Sequence, residues 1–187
     1  MADQDVDLGQ EESEFRSKHQ AAWDTVRQFS QETRSIEEYY SESNPQHRLA
    51  PEFFQLYLKK RPSDIATRAL GTAFDMWGNL KGVSEYVREM LLQISYEEDV
   101  WDKIEGGLIS AFYKEDRGEE GFALLAELEQ RIVPLRSRSA LLHSLSKYWH
   151  QQGDDSKALR GFEQVVSWNA SPRHVEPSAG MYTRLVI

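Results

Sequence analysis

The amino-acid sequence predicts an all-α chain of antiparallel helix pairs, and three observations carry that prediction. The first is a pattern of residue types that returns twice: Leu70-Gly71, Phe74, Gly78, Val83, Val87 and Met90; Leu108-Ile109, Phe112, Asp116, Gly121, Leu125 and Leu128; Leu145-Ser146, Trp149, Gly153, Ala158, Phe162 and Val165. The second copy comes 38 residues after the first (Leu70 to Leu108), and the third comes 37 after the second (Leu108 to Leu145). A period in this range marks a helical repeat array, in which each helix pair needs its neighbours to bury its apolar face. The second observation is the spacing inside each copy, where apolar residues fall three and four apart on one helix face. The third is that no alternating β-branched run forces a strand, the end Tyr182–Ile187 excepted.

Taken along the chain, residues 1–9 are polar and acidic and are expected to be disordered. A long helix is expected from about Gln10 to Thr33, with Phe15, Ala22, Trp23, Val26 and Phe29 as its apolar stripe. A short helical piece spans 35–41, and Ser43-Asn44-Pro45-Gln46 breaks it. Pro51 suits the first turn of the next helix, which carries Phe53, Phe54, Tyr57 and Leu58 and ends at Arg61-Pro62. Ser63 or Asp64 caps the helix after it. Three helix pairs are then expected: 64–77 with 81–94, 99–114 with 119–133, and 138–152 with 156–168. Pro134 and Pro172 close the last two, and 173–187 is a tail. The segment 36–62 is either a degenerate earlier unit or a chance match, and its pattern alone does not decide.

Residue types inside each copy have physical reasons. In the first helix a Leu and an aromatic four residues later share a face. The residue after the Leu is small at Gly71 and Ser146, where two helices should cross closely. In the second helix Val83, Gly121 and Ala158 precede apolar residues by four and seven, which completes a buried stripe. Gly78 and Gly153 suit turns that need positive φ.

On these residues the chain resembles tetratricopeptide repeats. The third copy is the best match, with Leu142, Leu145-Ser146, Trp149, Gly153-Asp154, Lys157-Ala158-Leu159, Phe162, Val165 and Pro172. The second departs from the family pattern at Ile109 and Asp116, and all copies are longer than the usual repeat. The resemblance implies a right-handed array of antiparallel pairs, and a concave groove lined by the exposed face of each first helix. That face maps to Arg68, Thr72 and Asp75; to Lys103, Ser110, Tyr113 and Lys114; and to His143, Lys147, His150 and Gln151. It is mostly basic and polar on an acidic chain. Its implied ligand is a protein or peptide partner, an acidic peptide or terminal carboxylate held by charge-assisted hydrogen bonds, with Lys114 and Lys147 as anchors. The alternative is a solvated face that binds nothing specific.

A broader resemblance is to the helical region preceding the thioredoxin-like domain of bacterial TlpA-type redoxins. It rests on Tyr39-Tyr40, Leu49-Ala50-Pro51-Glu52-Phe53-Phe54, Leu58-Lys59-Lys60-Arg61-Pro62-Ser63-Asp64 and Ala179-Gly180-Met181-Tyr182-Thr183-Arg184-Leu185-Val186-Ile187. It implies the non-catalytic helical part alone, since the catalytic Cys pair is absent from the sequence.

Composition narrows the function classes. The 187 residues suffice for one cored domain. Without cysteine the chain has no disulfide, thiolate metal site or cysteine nucleophile. The net charge of −9 disfavours nucleic acid. No stretch reaches a transmembrane length, and no signal-peptide pattern opens the sequence. The compartment expectation is therefore cytoplasmic by default, and the cell envelope if the redoxin resemblance holds. Phosphate-binding loops, nucleophile elbows and paired metal-ligand motifs are missing, so the reading is non-enzymatic, with no cofactor and no metal. Of the five histidines, His143 and His150 share a helix face, but no further ligands accompany them. Glu105-Gly106-Gly107 reads as close helix packing, and Glu97-Glu98-Asp99 and Glu115-Asp116 as helix-terminal or turn carboxylates. Asn169-Ala170-Ser171 is a formal glycosylation sequon with Pro172 directly after it.

Overall fold

A computed structural model describes residues 2–97 and 108–187, with side chains from residue 9 onward. Among the described residues the regular structure is entirely helical. In chain order the helices are α1 (Ala2–Glu32), α2 (Ile36–Tyr40), α3 (Gln46–Lys60), α4 (Asp64–Gly78), α5 (Ser84–Leu91), α6 (described over 108–113), α7 (Gly118–Glu129), α8 (Leu135–Gln151), α9 (Asp155–Trp168) and α10 (Pro172–Val186).

Local chemistry sets several of the boundaries. Ser35 caps α2, its Oγ accepting from the Glu38 N–H at 3.0 Å. Ser63 caps α4 in the same way, accepting from the Ala66 N–H at 3.1 Å. Asp154 caps α9 through the Lys157 N–H at 3.2 Å. Gly153 takes φ 80° at the α8–α9 turn, as expected of a glycine there. Its counterpart in the second copy, Asp116, holds φ 56°, a conformation a short polar side chain tolerates. In the first copy the positive φ falls at Gly82 (77°) and not at Gly78, which is instead the buried last residue of α4. The chain therefore turns later, and α5 starts at Ser84.

Other boundaries differ from expectation. Pro51 lies inside α3, because the helix already begins after Pro45, with the Asn44 side chain accepting from the Gln46 N–H at 3.0 Å. Pro172 opens a helix instead of only closing a unit, and α10 carries the tail to Val186, so the one strand-like stretch of the sequence is helical. α1 is helical from Ala2, so the acidic segment expected to be disordered belongs to it.

Most of the repeated apolar positions are in the core, while Met90 and Trp149 are half-buried against it. Leu70, Leu108 and Leu145 are buried, as are Phe74 and Phe112, Val83 and Ala158, and Val87, Leu125 and Phe162. A continuous apolar cluster runs from Phe15 on α1 to Leu145 on α8. The expected close crossing is present in the third copy. A Cβ added at Gly161 on α9 would stand 2.0 Å from Ser146 Oγ and 3.2 Å from Ser146 Cβ on α8.

Polar bonds between successive segments recur at similar sequence separations. Gln46 reaches the Met76 carbonyl across 30 residues, and Ser95 N–H donates to Tyr57 Oη across 38. Glu115 accepts from Val83 N, Ser84 N and Ser84 Oγ at 2.9, 2.9 and 2.6 Å, across 31–32 residues. Arg117 binds Ser84 Oγ and Glu85 at 2.7 and 2.6 Å, across 33 and 32. His143 meets Ser178 across 35.

Candidate functional site

The expected groove begins on α4, and there the structure places another part of the chain. α1 lies along the seam of α3 and α4, antiparallel to α3: Glu11 pairs with Lys60, and farther on Lys18 approaches Glu52. The Lys60–Glu11 contact is 2.5 Å. Arg68 grips the neighbouring carboxylate with both terminal nitrogens, Nη1 at 3.1 Å from Glu12 Oε1 and Nη2 on Oε2. The Arg68 hydrogen bond, joined by one from Arg16, holds the Glu12 carboxyl below its ordinary range. The Arg68 guanidinium also lies over the Phe15 ring, 4.6 Å from its centroid. Phe15 meets Phe53 edge-on at 6.3 Å, and the side chains of Phe15, Ala22 and Val26 enter the core. Two of the basic residues on this face, Lys60 and Arg68, thus hold an acidic helix of the same chain.

Beside that contact a hollow of about 470 Å³ opens between α1 and α4, lined by Arg16, His19, Gln20, Arg68, Thr72 and Asp75, among others. Burial lowers the His19 pKa, and the nearby Arg68 charge adds to this while Asp75 opposes it. Asp75 is exposed at its rim.

Most of the remaining expected residues lie on several helices, each engaged with different neighbours. Lys103 lies outside the described residues. Lys114 donates to the Gly78 carbonyl at 2.6 Å and to Ser110 Oγ at 2.8 Å, and Ser110 donates to the same carbonyl at 2.7 Å. Burial lowers the Lys114 pKa. Its ammonium therefore satisfies the C-terminal end of α4, as a cation near the negative pole of a helix dipole does. Tyr113 is half exposed and meets Phe122 edge-on at 6.0 Å; Phe122 in turn stacks on Tyr148 at 3.8 Å. His143 faces α10, its Nδ1 2.7 Å from Ser178 Oγ and its ring 5.8 Å from that of His174. Burial, with the charges of Lys147 and His174, pushes its pKa down to about 4. His150 turns to Asp155 at 2.7 Å, and Lys147 is exposed.

Glu11, Glu12 and Lys60 are not among the groove residues expected from the sequence. The available signal is the Glu11-Glu12 pair three residues ahead of Phe15, but no spacing rule says which basic residues it meets. Among the described residues no group of three or more histidines and carboxylates gathers as a metal site, and no helix is long and apolar enough to cross a membrane. Compared with protein-family models, with curated proteins and with solved structures, the chain matches none.

Proposed function

We propose that this chain is a non-enzymatic protein-interaction module, built from tetratricopeptide-like helix pairs, that takes an acidic helical or extended segment on the face of its first helices. The observation that carries the reading is the bidentate hold of Arg68 on Glu12, with Lys60 on Glu11 beside it. This face already recognises two adjacent carboxylates and the aromatic side chain three residues beyond them. The array reading is supported by the buried repeat positions and by polar bonds that return at 30–38 residues. Arg68 and the exposed Lys147 are the anchors; Lys114 acts by holding α4 in place.

An array of acidic 20-residue peptides, each paired with a version in which Lys replaces every Asp and Glu, tests this. The wild-type chain is expected to retain acidic members over their Lys versions, and Arg68→Glu combined with Lys147→Glu to lose them. Equal retention of both peptide sets, or retention that survives the double substitution, contradicts the proposal.

A further inference from the structure

The way α1 is held suggests that the seam it fills has a second use. Between Gly9 and Glu32 only Phe15, Ala22 and Val26 are fully buried, and Ala22 removes little apolar surface from water. By contrast, the 15-residue α3 buries Leu49, Ala50, Phe53, Phe54 and Tyr57. Among the described residues α1 joins the body through side chains alone, chiefly Phe15, Ala22 and Val26, Trp23 half-buried against the same core, the ring contacts of Phe15 and His19 with Phe53, and the partly exposed Glu11–Lys60 and Glu12–Arg68 pairs. Beyond Glu32 a short link, 33–35, leads into α2. A helix so lightly attached at one face, and tethered at its end, can leave without unfolding the core beneath it.

We propose that the α3–α4 seam is a docking site for an acidic amphipathic helix of a partner protein, and that α1 occupies it as an internal competitor. The proposal rests on the interaction reading above and names its site and its regulation. The occupant's chemistry is that of the segment seated there now: two adjacent carboxylates for Lys60 and Arg68, an aromatic three residues on for the pocket beside Phe53, then small and branched apolar residues at the spacing of Ala22 and Val26. Tethering gives α1 an effective concentration on the order of millimolar, so a separate helix of equal intrinsic affinity competes poorly until α1 is loosened.

The probe is a fluorescein-labelled peptide with the sequence of residues 9–32, titrated against the full chain by anisotropy. Loosening α1 with Phe15→Ala and Glu12→Ala is expected to tighten peptide binding at least tenfold over wild type. Adding Arg68→Glu to the loosened chain is expected to weaken it at least tenfold, and a peptide carrying the Glu12→Arg change is expected to restore it. A readout on the unaltered chain accompanies these: at saturating peptide, hydrogen exchange within α1 is expected to accelerate while α3 and α4 stay protected. Equal affinity for wild type and loosened chain overturns the competition, and an Arg68→Glu change without effect overturns the site. Acidic array peptides that bind while α1 exchange is unchanged would leave the interaction reading standing and remove this one.

Discussion

Replacing Gly161 by alanine isolates the close helix crossing on which the third helix pair depends. In a helix with open space around it, Gly→Ala stabilises by about 1 kcal/mol, because alanine loses less backbone entropy on folding. At Gly161 the new methyl would stand 2.0 Å from Ser146 Oγ, 3.2 Å from Ser146 Cβ and 3.5 Å from Leu142 Cδ1. Rotating the hydroxyl away breaks its 2.7 Å bond to the Leu142 carbonyl and still leaves the tight Cβ contact. Forcing a methyl into a packed interior costs about 1–3 kcal/mol, and the lost buried hydrogen bond adds about 1. Set against the propensity gain, the net effect is a destabilisation of about 1–3 kcal/mol. Gly180 on α10 is the internal control, since nothing lies within 4 Å of a Cβ there and the same change should stabilise. Urea unfolding followed by helical circular dichroism reads both, and thermal midpoints should move by about 2–4 °C per kcal/mol. Ser146→Ala added to Gly161→Ala removes the worst contact and should recover part of the loss. If Gly161→Ala stabilises as Gly180→Ala does, α8 and α9 do not cross closely at Gly161 and Ser146.

Three further perturbations address other contacts between the helices. Lys114→Met keeps the aliphatic stem but removes the ammonium from the Gly78 carbonyl, and a loss of about 1–2 kcal/mol is expected in denaturant unfolding. Glu115→Ala strips the Val83 and Ser84 N–H groups of their acceptor, so the amides at the start of α5 should exchange faster, with about 1–2 kcal/mol lost overall. His143 has its folded pKa lowered to about 4 against an ordinary 6.5. Its contribution is therefore fully present above pH 6.5 and declines as pH falls from there toward 4. After discounting for solvent screening, about 1–2 kcal/mol should be lost between pH 7.5 and 5, a loss that His143→Gln abolishes.

Much of this architecture is legible in the sequence because burial follows a helical period. Leu70, Leu108 and Leu145 repeat as core residues, and the small side chain of Ser146 is enough to mark a crossing point. Ser63 and Gly153 act where their chemistry suggests. Sequence and structure part where a nonlocal contact or an alternative start decides. The α3 helix begins five residues before Pro51, so that proline sits in an interior turn, which local preference disfavours. The chain takes its positive φ at Gly82 instead of Gly78, whose carbonyl is bound by Ser110 and Lys114 from 32 and 36 residues away. The site is harder still. Helical register selects Arg68, Lys114 and His143 as exposed, yet each is engaged within the chain, by Glu12, Gly78 and Ser178 respectively. Those partners lie on other helices, and one-dimensional periodicity carries no record of which helices approach.

The most direct test of the account is an amide-resolved NMR titration of the full chain with an acidic amphipathic 20-residue peptide patterned on the Glu11–Val26 segment. The account predicts saturable shifts at Lys60, Arg68 and the residues around Phe53, together with displacement of α1 signals. No saturable shift at millimolar peptide, or saturable shifts that leave Lys60, Arg68 and α1 unmoved, would contradict it.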